Sequence, residues 1–252
     1  RSGVVFNEMK GVYSSPDSVL GEFSQRTLFP DTTYGVDSGG DPKVIPTLTF
    51  EAFKNFHETY YHPSNGRFFF AGDDDPDERL RLLGAYLDRF EARPAASSVA
   101  RQQPFAAPKR IEMPYAAAPG QAGRAFVACN WLLPDVADQD LVMVFDVLEH
   151  VLIGLPTSPL RKALLDSGLG EDLTGGGLES ELRQMFFSVG LKGVAPEAAS
   201  QVETLILETL GRLAAEGLPA DAVEAGVNAL EFSLRENNRS EEHTSELQSL
   251  AY

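Results

Sequence analysis

The sequence predicts an α+β fold, and three observations predict it. Apolar residues recur at helical spacing in several long segments. Short apolar runs of strand type stand between those segments. A stretch rich in Ala, Pro, Ser and Gln, from Ala92 to about Lys109, separates two ordered halves and reads as a linker. Strands mixed with long helices in this way give an α+β or α/β domain. At 252 residues the chain has room for one large domain or two ordinary ones, and an apolar fraction of 43% is ample for a core.

The first half reads as follows. Val5, Met9, Val12, Val19 and Phe23 recur at spacings of three, four and seven, so Val4 to about Phe29 is mainly helix, with Pro16 as a kink or break. Pro30 to Pro46 is a loop of turn formers. Thr49 caps a short helix on which Phe50, Phe53, Phe56 and Tyr60 form an aromatic stripe, expected in a core. Pro63-Ser64-Asn65 ends it, and Arg67–Ala71 is an apolar run of strand type. The acids Asp73-Asp74-Asp75-Pro76-Asp77-Glu78 invite a metal-site reading. Their place just before Leu80, Leu82, Leu83 and Leu87 favours helix capping, because acids satisfy free amides and complement the helix dipole.

In the second half, Arg110–Tyr115 and Arg124–Leu133 are expected strands, and Asp138–Ile153 a helix with an acid cap. Ser158–Ser167 is a second helix with Pro159 in its first turn. Gln184–Val194 is a strand, and Glu197–Glu216 and Ala220–Glu236 are two closing helices. Gly175-Gly176-Gly177 lacks the Lys-Ser/Thr or Gly-x-x-Gly pattern of a phosphate cradle. A flexible turn between strands is the expectation there.

Composition excludes several functions. A net charge of −16 argues against nucleic acid as a partner, since phosphate binding needs basic surface, while an acidic protein attracts basic peptides. The apolar runs Phe126–Cys129 and Val147–Ile153 are short and broken by polar neighbours, so no membrane span is expected. The N-terminus carries no charged-then-apolar signal pattern. A single cysteine, Cys129, permits no intrachain disulfide and no multi-cysteine zinc ribbon, and it reads as a buried structural thiol.

Four histidines allow every His-based site to be checked. His57 and His62 lie five apart, about 140° around a helix, whereas two zinc-binding histidines on one helix face need a spacing of four. Neither His-Glu-x-x-His nor His-x-x-Glu-His occurs. His150 lies in an apolar helix with no ligand partner expected at helical spacing, and His243 lies in the C-terminal tail. There is no Gly-x-Ser-x-Gly for a serine hydrolase. The residues by themselves therefore describe a two-part protein without a complete catalytic centre.

Gly3-Val4-Val5-Phe6-Asn7-Glu8-Met9-Lys10-Gly11-Val12-Tyr13 closely resembles a stretch of the presequence proteases, which are inverzincin metallopeptidases together with pitrilysin and insulysin. Further blocks agree in order: Asp37-Ser38-Gly39-Gly40-Asp41-Pro42, Tyr60-Tyr61-His62-Pro63-Ser64-Asn65, Gly72-Asp73-Asp74-Asp75, Ser158-Pro159-Leu160, Ser167-Gly168-Leu169-Gly170, Phe187–Val194 and Glu231–Asn237. The resemblance covers about Gly3 to Asn238. It implies a zinc metalloendopeptidase of short unstructured peptides, in which two histidines of His-x-x-Glu-His and a downstream glutamate bind Zn2+ and the glutamate between the histidines is the general base. Glu8 matches the downstream glutamate, and the His-x-x-Glu-His segment would lie before Arg1.

The family's fold implies that residues 1–93 are the C-terminal part of a zinc-bearing α/β sandwich domain and 94–108 a linker. Residues 109–238 then begin a second, homologous domain without metal. Expected partners are unstructured, basic peptides and the remaining domains of the parent chain, with no nucleic acid and no membrane. The expected location is soluble and intracellular: bacterial cytoplasm, or mitochondrial matrix or plastid in a eukaryote. Residues 239–252 depart from the family and read as a translated sequencing adapter. A non-catalytic peptide-binding or assembly subunit is the alternative function.

Overall fold

A computed structural model describes residues 3–94, 97–117 and 123–237. The chain divides into two compact units. One runs to Lys10 and resumes over Ser38–Ala100; the other comprises Gly11–Asp37 and the chain from Arg101 onward.

The first half is helical where apolar spacing predicts it. Helix α1, Val4–Val12, and helix α2, Pro16–Leu28, are separated where Pro16 interrupts the pattern. The Ser15 side chain caps α2 by accepting from Ser18 N, and Pro16 occupies the first turn, where its missing N–H costs nothing. Helix α3, Phe50–Tyr60, starts at Thr49, whose hydroxyl accepts from Ala52 N at 3.1 Å. Helix α4, Pro76–Leu87, starts at Asp75, which accepts from the amides of Asp77 and Glu78. Asp74 pairs with Arg79. Both acids serve the helix start, as the capping reading expects.

Two expectations fail in the first unit. The aromatic stripe of α3 lies open, with Phe50 72% and Phe53 67% exposed, instead of sitting in a core. Arg67–Ala71 forms no ladder with any strand among the described residues. Phe70 lies under the Arg79 guanidinium, 4.8 Å from its ring centre, while the neighbouring Phe69 is 90% exposed.

The second unit holds a three-stranded antiparallel sheet. Its strands are β1, Ala125–Asp135, β2, Asp172–Glu179, and β3, Gln184–Val194, in the order β1-β3-β2. β3 is central and buried almost throughout, which is why it reads as a near-continuous apolar run. Helix α5, Gln139–Glu149, begins at an Asp138 cap and continues into a π-helical turn, His150–Gly154. Helices α6, Pro159–Asp166, α7, Ala199–Glu216, and α8, Ala220–Asn237, complete the unit. Leu160 and Leu164 of α6 meet Val202, Ile206 and Leu213 of α7 and Val189, Leu191 and Val194 of β3 in the main core. Val202, Ile206, Thr209 and Leu213 recur at four, three and four, so one stripe of α7 faces inward.

A smaller cluster ties α2 to the same unit. Phe29 is fully buried and meets Tyr34 and Phe186 edge-on, at 5.5 and 6.1 Å between ring centres. Gln102, within the expected linker, is also buried. Its amide N–H donates to Gln184 Oε1 at 2.6 Å, and its side chain donates to Asp31 and accepts from Asp31 N.

Three further expectations are corrected in this unit. Arg110–Tyr115 forms no ladder among the described residues; Pro108 precedes it and Pro114 lies within it, and each removes a donor. It is tethered by side chains instead, Arg110 to Glu203 and the Tyr115 hydroxyl to Arg124 O. Gly175-Gly176-Gly177 is no turn between strands but an irregularity inside β2, where the register against β3 shifts between Thr174 and Gly177. Gly175 has φ +90°, and a Cβ there would lie 2.6 Å from Ser188 O. The stretch Gln139–Asp166 does reach membrane-helix length and hydropathy, 28 residues at 1.5. It folds as α5, a π turn and α6, with Val151, Leu152, Leu160 and Leu164 buried in protein.

Candidate functional site

Glu8 lies exposed on α1, and Val4, one turn earlier, is exposed as well. Among the described residues no three His, Cys, Asp or Glu side chains converge on a point that could hold a metal ion. Structural and catalytic zinc need at least three protein ligands. The residues described in this chain therefore do not fit zinc by themselves, and Glu8 stands as a single carboxylate.

The two histidines of the first half make local contacts. His57 stacks on Tyr61 at 4.8 Å, while His62 Nδ1 accepts from Ser64 N and its ring meets Phe90 edge-on. Each is engaged in local structure. His243 and the tail lie outside the described residues.

His150 needs a correction. Asp146 stands four residues before it and Glu149 immediately before it, so a ligand-type side chain does share its helix face. All three line a cavity of about 330 Å³ between the end of α5 and Gly226, Ala229 and Ser233 of α8. The small residues of α8 make room for it. Gly226 lets the helices approach, since a Cβ there would lie 3.3 Å from Val147 Cγ1.

The carboxylates of this cavity are electrostatically costly. Burial raises the Glu149 pKa most, Asp146 adds to the rise, and the Leu178 N–H and His150 oppose it. Burial likewise raises Asp146. Glu149 Oε1 accepts from Leu178 N at 3.0 Å, so this carboxylate holds β2 at its irregularity. Gly177, at φ +71°, leaves the space, because a Cβ there would overlap Glu149 Oε1 at 1.8 Å. With Glu149 so engaged, Asp146 and His150 are too few for a zinc site. The signal that could have found this group is the spacing of Asp146, Glu149 and His150 at i, i+3 and i+4.

Cys129 pairs with Val189 across the sheet, and burial first, then Glu203, push its thiol up to about 11. A half-buried thiol so poorly ionised is a weak nucleophile at neutral pH.

Comparison with known proteins now bears on these features. The family described as "Peptidase M16 inactive domain" matches residues 47–230, well over half of the chain. Presequence protease 1, chloroplastic/mitochondrial, of Arabidopsis thaliana is 54% identical over 241 residues, 94% of this chain and 22% of that protein. Protein HypA of Clostridium perfringens is 36% identical over 94% of this chain and 25% of its own length. The mitochondrial presequence protease of Mus musculus is 35% identical over 94% of this chain and 24% of its own. The chain thus spans about a quarter of the length of these curated relatives.

Among solved structures, a peptidase M16 inactive domain from Pseudomonas fluorescens superposes with a TM-score of 0.67 at 18% identity, over 92% of this chain and 54% of that one. A protease from Helicobacter pylori gives 0.66 at 20% identity, over 94% and 57%. These two speak to fold, and the fold they share with the chain is α+β. The resemblance to presequence proteases is borne out by the curated relatives.

Proposed function

This chain belongs to the peptidase M16 family, and from that premise we propose that it is part of a zinc metalloendopeptidase degrading short unstructured peptides of the presequence type. The observation that carries the reading is 54% identity to a presequence protease over 94% of the chain, a span that includes several of the family blocks. Glu8 is then the downstream glutamate ligand of Zn2+ in the longer protein. Two histidines of a His-x-x-Glu-His segment preceding Arg1 complete the set. The present chain is inactive alone, because one carboxylate cannot hold catalytic zinc and the general base lies in that other segment.

On the same reading, residues 1–93 end the zinc-bearing domain, 94–108 link, and 109–238 begin a domain without metal. The net charge of −16 suits basic peptides. The names of the Arabidopsis and mouse relatives support a mitochondrial or plastid location in a eukaryote. A second reading, a non-catalytic peptide-binding or assembly subunit, is favoured by one observation, the match to a family described as an inactive domain.

The two readings separate in one experiment. The chain as given should bind no stoichiometric zinc and show no chelator-sensitive peptidase activity. Joined to the polypeptide encoded upstream, it should gain both, and Glu8→Gln should then remove most of the zinc. Full metal retention by the Gln variant would refute the ligand assignment. An upstream segment that contains no His-x-x-Glu-His would establish the non-catalytic reading.

A further inference from the structure

At one end of the sheet in the second unit, the register sets a row of side chains across all three strands. Phe126 of β1 lies opposite Lys192 of β3, and Lys192 lies opposite Asp172 of β2. Directly opposed residues share a face of the sheet. These three line a cavity of about 280 Å³, bounded also by Asp17 of α2 and by Tyr115, Arg124, Glu171 and Gly193. Tyr115 meets Phe126 edge-on, at 5.3 Å between ring centres, so one wall is aromatic. Gly193, at φ +71°, leaves room for Glu171, because a Cβ there would lie 2.5 Å from Glu171 Cδ.

The charges around this cavity divide into those already satisfied and those with capacity left. Asp17 accepts twice, from Lys192 Nζ at 3.3 Å and from the Thr174 hydroxyl at 3.2 Å. Arg124 donates once, to Gly193 O at 3.2 Å, while its Nε stands 3.8 Å from Glu171 Oε1, beyond hydrogen-bond reach. Most of its guanidinium fork is therefore uncommitted among the described residues. Asp172 accepts from Leu173 N at 2.8 Å and makes no ion pair among the described residues. A fork of donors, a carboxylate and an aromatic wall thus border one space. Its volume lies at the small end of ligand cavities and suits a compact molecule.

We propose that this cavity binds a free α-amino acid with an apolar side chain. The ligand's carboxylate pairs with the Arg124 fork, which matches its two oxygens. Its ammonium pairs with Asp172, and its side chain lies against Tyr115 and Phe126. A bipolar ligand is the one the charges fit, since Arg124 and Lys192 share the lining with Asp17, Glu171 and Asp172. A simple anion would meet three carboxylates, and a simple cation would leave the Arg124 fork unmatched. The site does not rest on the peptidase reading: it lies wholly in the second unit, whereas Glu8 belongs to the first.

The test uses the complete chain and L-phenylalanine as the probe. Titration followed by heteronuclear NMR should give saturable shifts at the backbone amides of Arg124, Asp172 and Gly193, with a dissociation constant on the order of 1 mM or below. Phenylalaninamide lacks the carboxylate and N-acetylphenylalanine lacks the ammonium. Each should bind about 10-fold or more weakly, the loss expected from one charge-assisted pair. Arg124→Gln and Asp172→Asn, both at exposed positions, should weaken phenylalanine to the same extent and leave the melting curve unchanged. Asp172→Asn keeps an acceptor for Leu173 N, so it removes the charge with the local fold intact. Shifts that never saturate, or unchanged affinity in either variant, overturn the proposal. Equal binding of the N-acetyl derivative would make this a carboxylate site, and equal binding of the amide an ammonium site; either result overturns the assignment to a zwitterion.

Discussion

The first unit and the second use the same kind of helix to different ends. In α7, Val202, Ile206 and Leu213 recur at helical spacing and are buried against β3 and α6. In α3, Phe50, Phe53 and Phe56 recur in the same manner and remain exposed. Both stripes are legible in the sequence. The difference lies in what is supplied to cover them: the second unit contains its own sheet, and the described part of the first does not. Periodicity reports which face of a helix is made for burial. Whether a partner is present is a separate physical fact.

The sharpest way to break this contrast is to truncate one residue from each stripe. Ile206→Ala removes a fully buried side chain from the main core and should cost about 2–5 kcal/mol. Phe53→Ala, in the chain as given, should shift stability by no more than about 0.5 kcal/mol, because the ring is 67% exposed. Chemical denaturation followed by far-UV circular dichroism measures both. A Phe53→Ala cost near that of Ile206→Ala would mean that the α3 stripe is covered in solution and that the two units do not differ in this respect.

The same contrast explains what could be read in advance. Caps were legible because they are local: Thr49, Asp75 and Asp138 each sit where the apolar period begins, and each accepts from an amide two or three residues on. β3 was legible because a buried central strand is a continuous apolar run. Arg67–Ala71 and Arg110–Tyr115 have strand-like composition, but a strand is completed by another segment, which local pattern does not contain. The glycines of β2 were misread for a related reason. Their need comes from Ser188 O and Glu149 Oε1, one on a neighbouring strand and one on a helix. Glu8 was legible only through the block around it, since an exposed glutamate on a helix has no signature of its own.

A second prediction sharpens the account of β2. Gly177→Ala forces a side chain into φ +71° and onto Glu149 Oε1. Left-handed backbone costs about 1–2 kcal/mol for a residue with a Cβ, and displacing the carboxylate costs its bond to Leu178 N as well. A loss of about 2–3 kcal/mol in the second unit is expected. Gly176→Ala, with nothing within 4 Å of its added Cβ and no positive φ, is the control and should cost far less. Equal losses at the two positions would show that β2 tolerates no side chain in this stretch, and that the Glu149 contact is incidental.

The smallest expected effect concerns Glu149 itself. Its pKa in the folded protein is raised above the ordinary 4.5, chiefly by burial. The folded state therefore holds its proton to higher pH than the unfolded state does. Stability from this group is greatest below the unfolded value and declines as pH rises through the folded one. At neutral pH the buried carboxylate opposes folding even while it bonds Leu178 N. Glu149→Gln keeps an acceptor oxygen for that amide and removes the charge, so it should be neutral or stabilising by up to about 1 kcal/mol at pH 7, after allowance for solvent screening. The advantage of the Gln variant should shrink as pH falls through the raised folded-state value and be lost below 4.5, where the wild-type carboxyl is protonated in both states. Asp146, raised in the same direction by burial, also repels the Glu149 carboxylate, so relief of that repulsion belongs to the same difference. Melting temperatures of the pair from pH 4 to pH 8 would decide the matter. A Gln variant that is less stable at pH 7 than at pH 4, relative to wild type, would mean that the ionised form is the one the cavity favours, with His150 outweighing burial.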